Sequence, residues 1–217
     1  MLATLKQEAE LVELFKSVGK KQTWSKNEFI ISPNHQPDGV FYIDEGLVKA
    51  YDITKYNEDN LLIVRKAKEI FPLIWGLTGQ ERRVIYQTLA KSITWKISRE
   101  DFLSHLQKNQ KIMPPLLDMT IEMYRLHSER ILNLEYRTVR ERIISFLFTM
   151  SKRFGYETAE GLKIDLPLRH QDIASSVNSS RETASREIGA LTKKGLIEHN
   201  RSYILLKNTA ELLKYID

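Results

Sequence analysis

Two short stretches near the C-terminus narrow the possible fold more than any other part of the chain. The first, Arg169-His170-Gln171-Asp172-Ile173-Ala174-Ser175-Ser176-Val177, reads as a short helix with Ile173, Ala174 and Val177 turned inward. Asn178 follows, a residue type that accepts the left-handed conformation a sharp turn requires. The second stretch runs Ser179-Ser180-Arg181-Glu182-Thr183-Ala184-Ser185-Arg186. Ser179 with Glu182 three residues later has the pattern of a capping box and predicts a helix start. Ala184, Ile188 and Leu191 recur at i, i+4 and i+7, which makes one face of this second helix apolar. Arg181, Glu182, Ser185 and Arg186 then project from the opposite face. Two short helices joined by a tight turn, the second capped and basic, make a helix-turn-helix.

The exposed face of the second helix has a defined chemistry. Arginine forks match guanine O6 and N7, and glutamate accepts from cytosine N4, so these side chains can read base edges in a major groove. The same residues also fit a solvated face carrying an i,i+4 Glu182–Arg186 pair. Downstream, Gly195-Leu196-Ile197-Glu198-His199 and Tyr203-Ile204-Leu205-Leu206 read as two strands around Asn200-Arg201-Ser202. That hairpin is a wing, with Arg201 at its tip in position to reach a phosphate.

The net charge of +5 favours an anionic partner, although the excess is modest and spread thinly. With no cysteine in the chain, disulfides, thiol nucleophiles and Cys-held iron–sulfur or zinc sites are excluded. His35, His105, His170 and His199 are dispersed in sequence without metal-ligand spacing. No run approaches 18 apolar residues, and the N-terminus lacks a basic segment followed by an apolar one. The expected location is the cytoplasm, with no membrane partner.

The first half has a different texture. After a helical opening marked by Leu11, Leu14 and Phe15, short β-rich runs follow from about Lys21 to Ser98, among them Glu28–Ile31, Val40–Ile43, Leu47–Tyr51, Leu61–Val64 and Ile93–Ile97. Turn signals such as Ser32-Pro33-Asn34 and Asp44-Glu45-Gly46 separate them. Strands at this spacing predict an all-β barrel or jelly roll. Next, from about Ile112 to Tyr136, Met113, Leu117, Thr120, Tyr124, His127, Ile131 and Leu134 step alternately by four and three. This a/d seam predicts a parallel two-helix dimer contact, against the simpler alternative of one helix packed on its own barrel. Thr138 with Glu141 caps a further helix to Phe154, whose inward stripe is Val139, Ile143, Phe146, Leu147 and Met150.

Barrel, long helix and C-terminal winged helix-turn-helix with Ser180-Arg181-Glu182-Thr183-x-Ser185-Arg186 together resemble the Crp/Fnr family of bacterial transcription regulators. The likeness covers essentially the whole chain and is most specific at Gln171-Asp172-Ile173-Ala174 and at the Arg-Glu-Thr-x-x-Arg helix. It implies base contacts by Arg181, Glu182 and Arg186, with Ser185 on the same face, and a half-site similar to TGTGA within a pseudo-palindromic operator. It implies phosphate contacts by Ser180, His170 and Gln171, where His170 replaces a common arginine. The family's usual turn glycine is Asn178 here. The implied partners are double-stranded DNA, a second copy of the chain and RNA polymerase.

The resemblance weakens at the sensor. Cyclic-nucleotide binders of the family carry a Gly-Glu pair and then an Arg-Ser/Thr-Ala sequence. Here Pro72-Leu73 replaces Gly-Glu, and Arg83-Val84 follows Arg82, which stands where the phosphate-binding arginine would. Replacing a hydrogen-bonding carboxylate by leucine costs about 1.5–3 kcal/mol of ligand anchoring. On the long helix Ser128 matches a residue that reaches the nucleotide, and His127 replaces its threonine neighbour. The expected effector residues are Arg82, Arg83, Ser128 and His127, the effector is unidentified, and cAMP is not expected as a cofactor. In the seam, His127 is either a polar residue fixing register or hydrogen-bonding Ser128, or a pH-sensitive contact between two copies.

No Walker loop, dinucleotide fingerprint, His-Glu-x-x-His or Gly-x-Ser-x-Gly motif occurs, so no enzyme is expected. The fold class expected is α+β, in three parts. An N-terminal double-stranded β-helix (jelly-roll or β-roll) sensor spans residues 1–110, a dimerisation helix 111–137 and a winged helix-turn-helix 138–217. The function expected is sequence-specific DNA binding as a homodimer under an effector. The rival is a small-molecule-binding module whose C-terminal domain contacts protein rather than DNA.

Overall fold

The computed structural model describes residues 2–55 and 57–216. These form two compact units, one made of residues 1–54 and 62–123, the other of 55–61 and 124–217. In chain order the first unit begins with α1 (Leu5–Val18), β1 (Lys20–Trp24), β2 (Phe29–Ile31), β3 (Val40–Glu45) and β4 (Leu47–Ile53). It continues with β5 (Asp59–Lys66), β6 (Ile70–Phe71), α2 (Leu73–Thr78), β7 (Ile85–Thr88), β8 (Ser92–Ile97) and α3 (Arg99–Lys108). The long helix α4 (Met113–Tyr136) follows, and the boundary between the units falls within it.

The strands form two four-stranded sheets, ordered β1-β8-β3-β6 and β2-β7-β4-β5. β8 pairs antiparallel with β1 and β3, β3 with β6, and β7 with β2 and β4, and the result is the expected roll. Alternation along β3 explains its burial on both faces. Phe41 faces the roll interior, where it stacks on Phe71 at 5.2 Å, and Phe71 stacks on Tyr86 at 4.6 Å. Tyr42 faces the other way, 5.6 Å from Phe15 of α1, which in turn lies 6.2 Å from Phe102 of α3. Burial, with Asp44 and Glu8 nearby, pushes the Tyr42 hydroxyl up to about 12. The turn between β3 and β4 needs Gly46: its φ is +97°, and a Cβ there would lie 2.2 Å from Ser92 Oγ.

The second unit consists of the end of α4, then α5 (Val139–Phe154), β9 (Gly155–Thr158), β10 (Gly161–Ile164), α6 (His170–Ser176) and α7 (Arg181–Lys193). β11 (Ile197–His199), β12 (Ile204–Leu206) and α8 (Thr209–Leu213) complete it. Thr138 caps α5 as expected: its backbone N–H donates to Glu141 at 2.8 Å, and its side chain accepts from the Glu141 backbone. Ile143, Leu147 and Met150 of the expected stripe are buried. Val139 and Phe146 are only half-buried, and Ile144 takes an inward place instead. The two wing strands are part of a larger sheet ordered β11-β12-β10-β9. The β9–β10 hairpin was not read from the sequence, since its strands span four residues each and alternate weakly.

Phe15 is fully buried among Leu11, Tyr42 and Phe102. Phe15→Ala is expected to cost about 3–5 kcal/mol. The check is a lower urea midpoint for the transition that unfolds the first unit.

Candidate nucleic-acid interface

Helix α6 is anchored by its own N-terminal charge pair. Asp172 is buried, accepts from the Arg169 backbone at 2.9 Å, and takes the Arg169 guanidinium at 3.0 and 3.1 Å. Ile173, Ala174 and Val177 are buried as expected. Asn178 adopts a φ of +49°, the left-handed turn predicted for it. That turn consumes one residue more than the capping-box reading allowed. The Ser179 backbone N–H donates back to Ala174 O at 3.0 Å, so Ser179 still belongs to the turn. The N-cap is Ser180, extended at φ −68° and ψ 152°, whose side chain accepts from the Thr183 backbone at 3.1 Å. Ser179 and Glu182 therefore form no capping box. Glu182 is left exposed rather than folded back onto the helix start.

On α7, Ala184, Ile188 and Leu191 are 0%, 3% and 1% exposed, so this face is fully committed to the core. Arg181, Glu182 and Arg186 are exposed on the other side and Ser185 is half-buried. No Glu182–Arg186 ion pair forms among the described residues; Arg186 Nε lies 3.8 Å from Glu187 instead. Glu187 is engaged by Arg140 of α5 at 2.7 Å, which pins the middle of the helix. One turn beyond Ser185, Gly189 is exposed, and a Cβ there would meet nothing within 4 Å.

The wing turn is closed by Asn200, whose side-chain oxygen accepts from the Ser202 and Tyr203 backbones at 2.8 and 2.9 Å. Arg201 is exposed at its tip. Beside it, Tyr203 donates its hydroxyl to Glu198 at 2.9 Å, and Lys207 pairs with Glu198 at 3.0 Å. The bond from Lys207, then that from Tyr203, hold the Glu198 carboxyl below its usual range, and the bond to Glu198 raises Lys207.

Two histidines far apart in sequence meet beneath α7. His170 Nδ1 is 2.8 Å from Ser185 Oγ, and His170 Nε2 is 2.9 Å from His199 Nδ1. His199 Nε2 in turn lies 3.0 Å from Leu168 O. The two rings stack at 4.7 Å. Burial, then the neighbouring His199 and Arg181, lower the His170 pKa from its ordinary value. Spacing along the chain gave no hint of this meeting, because it depends on how the wing returns against α6. Gln171 is half-buried on the first turn of α6.

The seam residues lie as a row along α4. Met113, Leu117, Tyr124 and Ile131 are 46–75% exposed, and Thr120 is exposed too. His127 and Leu134 are half-buried. Ile121, Leu132 and Tyr136 add further exposed apolar surface that the strict four-three spacing omitted.

The expected effector residues fall in different places. Arg82 and Arg83 are exposed in the loop before β7, in the first unit, whereas His127 and Ser128 are half-buried on α4, in the second. Leu73 is buried in the core with Val40 and Phe102. Two arginines were missed, Arg65 buried and Arg130 half-buried. Arg65 of β5 reaches Glu69 at 3.4 Å and Met123 Sδ at 2.9 Å, and its Nε has no hydrogen-bond partner. Its signal was available, since alternation puts it on the same strand face as Leu61 and Ile63. Arg130 of α4 donates to Leu61 O, Asn60 Oδ1 and Ser175 O at 2.9–3.2 Å, tying the 55–61 segment and α6 to the helix. Burial lowers its pKa.

A β-roll, a long helix and a winged helix-turn-helix with a charged, exposed recognition face define a transcription regulator in which a sensor-type domain and a DNA-binding-type domain share one chain. Residues 21–109 match the cyclic nucleotide-binding domain, and residues 141–215 match the Crp-like helix-turn-helix domain. The chain is 24% identical to the global nitrogen regulator of Synechocystis, over 96% of each chain. It is 23% identical to the fumarate and nitrate reduction regulatory protein of Vibrio cholerae, over 95% of this chain and 82% of that one. Solved structures share the fold. A CooA variant from Carboxydothermus hydrogenoformans has a TM-score of 0.78 at 21% identity, covering 94% of this chain and 90% of that one. FixK2 from Bradyrhizobium japonicum gives 0.77 at 20%, covering 92% and 98%. The protein belongs to the Crp/Fnr family and is a transcription regulator, not an enzyme.

No helix among the described residues is long and apolar enough to cross a membrane. No cluster of three or more His, Asp and Glu side chains among them is placed to hold a metal ion.

Gly189 has no packing reason to be glycine, and helix-interior glycine costs about 0.5–1 kcal/mol relative to alanine. Gly189→Ala is expected to stabilise the second unit by that amount, read as a raised unfolding midpoint.

Proposed function

We propose that the protein binds a pseudo-palindromic duplex as a homodimer, with α7 of each copy in a major groove. The observation that carries this reading is the two-sided construction of α7. Its inner face is entirely buried, and Arg181, Glu182 and Arg186 are exposed on the outer face near its start. Arg181 and Arg186 supply forks for guanine edges, Glu182 accepts from cytosine N4, and Ser185 faces the same groove. This set fits the TGTGA-like half-site that the family resemblance implies. Ser180 at the cap, Gln171 and His170 on α6, and Arg201 on the wing hold the phosphate backbone and set register. Gly189 leaves a gap in the outer face where a sugar–phosphate strand can approach.

Dimerisation runs along α4. A row of apolar side chains from Met113 to Tyr136 lies exposed in the single chain, and an a/d seam closes it against a second copy. Two helix-turn-helix units then meet half-sites one helical turn apart. RNA polymerase is the partner through which such a regulator acts. The effector is not cAMP: buried Leu73 offers no acceptor where the family's cassette has a carboxylate, and Arg82 lies in an exposed loop. The incompletely paired Arg65 supports an anionic effector of another kind.

Fluorescence anisotropy on operators selected from a random duplex pool tests the DNA reading. Affinity should fall steeply with salt, and added cAMP should leave the isotherm unchanged. Arg181→Ala should relax preference at one base pair per half-site by about 1–3 kcal/mol. Arg201→Ala should weaken all sequences alike and lower the salt slope by about one per bound wing. Absence of duplex binding at low salt would instead favour a protein partner for the second unit.

A further inference from the structure

The hydrogen bonds beneath α7 have a direction that one fixed point determines. Leu168 O can only accept, so His199 Nε2 carries a proton and donates to it. With His199 neutral, its Nδ1 is an acceptor, and His170 Nε2–H donates across the 2.9 Å gap. With His170 neutral, its Nδ1 must accept, and the donor is the Ser185 hydroxyl at 2.8 Å. This is the single arrangement that keeps both rings neutral with every bond made. It spends the Ser185 proton inward and leaves only oxygen lone pairs facing out.

One added proton reverses the outer end of the relay. It goes to His170 Nδ1, which then donates to Ser185 Oγ, and the Ser185 O–H is released to donate outward. Every other hydrogen bond survives. A second proton has no place, because N–H would then face N–H between the rings. The charged groups on the surrounding elements are Arg169 at the cap of α6 and Asp172 on it, Arg181, Glu182, Arg186 and Glu187 on α7, Glu198 on β11 and Arg201 in the wing turn. Asp172 is held by Arg169, Glu198 is held by Lys207 and Tyr203, and Arg181 is the one whose charge bears on His170. Burial, then His199 and Arg181, hold the His170 pKa below the ordinary histidine value near 6.5. Bound phosphates would offset Arg181 and ease proton uptake.

We propose that His170 and His199 are specificity-setting residues that act through Ser185. In the neutral relay Ser185 is an acceptor, matched to the amino groups of cytosine or adenine. With one proton bound it is a donor, matched to guanine O6/N7 or thymine O4. His170 is then a positioning residue as well as a neighbour of the backbone. The inference rests on the DNA reading above for its consequence, but not for the relay, which exists in the free protein.

Two measurements test it. Long-range proton–nitrogen NMR of the uniformly labelled full chain between pH 5 and 8.5 reads the tautomers without DNA. At pH 8 both rings should be protonated at Nε2, and the pair should take up a single proton on acidification. A ring protonated at Nδ1 at pH 8, or uptake of two protons, overturns the relay. Selection of duplexes at pH 8 and pH 5.5 reads the consequence. At one symmetric position the preference should move from amino-bearing to acceptor-bearing bases, by about fivefold, the worth of one hydrogen bond. Ser185→Ala should abolish the preference there. The double variant His170→Gln/His199→Gln keeps a donor–acceptor chain without a titrating group, so its preference should not change with pH. A wild-type preference that stays fixed while sequence-specific binding persists refutes the specificity role alone. Loss of all duplex binding at both pH values refutes the DNA reading.

Discussion

The molecule depends on the burial of one face of α7. Ala184, Ile188 and Leu191 are inserted completely, and α7 packs on α6, whose Ile173, Ala174 and Val177 are buried as well. A left-handed Asn178 lets the two helices meet over a turn that ordinary backbone angles would not close. Once that face is fixed, the outward direction of Arg181, Glu182 and Arg186 follows from helix geometry alone. The Arg140–Glu187 ion pair and the histidine relay then fix the helix from two further sides, one from α5 and one from the wing. A recognition surface with rigid support loses less entropy on binding than a mobile one.

Much of this was legible in the sequence because it is local. Helical spacing, capping residues and turn residues act within a few positions, and they gave α5, α6, α7, the wing and the roll. The capping error at Ser179 has the same local origin. Two consecutive serines each satisfy the cap pattern, and the choice between them was made by the Asn178 turn and the Ser179–Ala174 hydrogen bond, which a pattern does not encode. The error mattered, since a capping box at Ser179 would have turned Glu182 back to the backbone. In the structure it is exposed.

What stayed hidden is long-range. His170 and His199 are 29 positions apart, and nothing in their spacing pairs them. Arg130 looked like one more charge on a long helix, yet it is half-buried and holds carbonyls from two distant segments. Arg65 could have been found, because a charged residue in phase with Leu61 and Ile63 is an anomaly on a strand. The contrast between the two units is also physical. The second leaves Arg181 and Glu182 exposed on α7, whereas Leu73 of the first is packed into the core.

The central claim is that two copies of α7 read one duplex from the major groove, and methylation interference on a selected operator tests it most directly. Methylating guanine N7 blocks the major-groove edge that Arg181 and Arg186 are held to contact. The account predicts interference at two guanine clusters related by symmetry and centred about 10 base pairs apart. Interference confined to adenine N3 in the minor groove, or a single unpaired cluster, would contradict it.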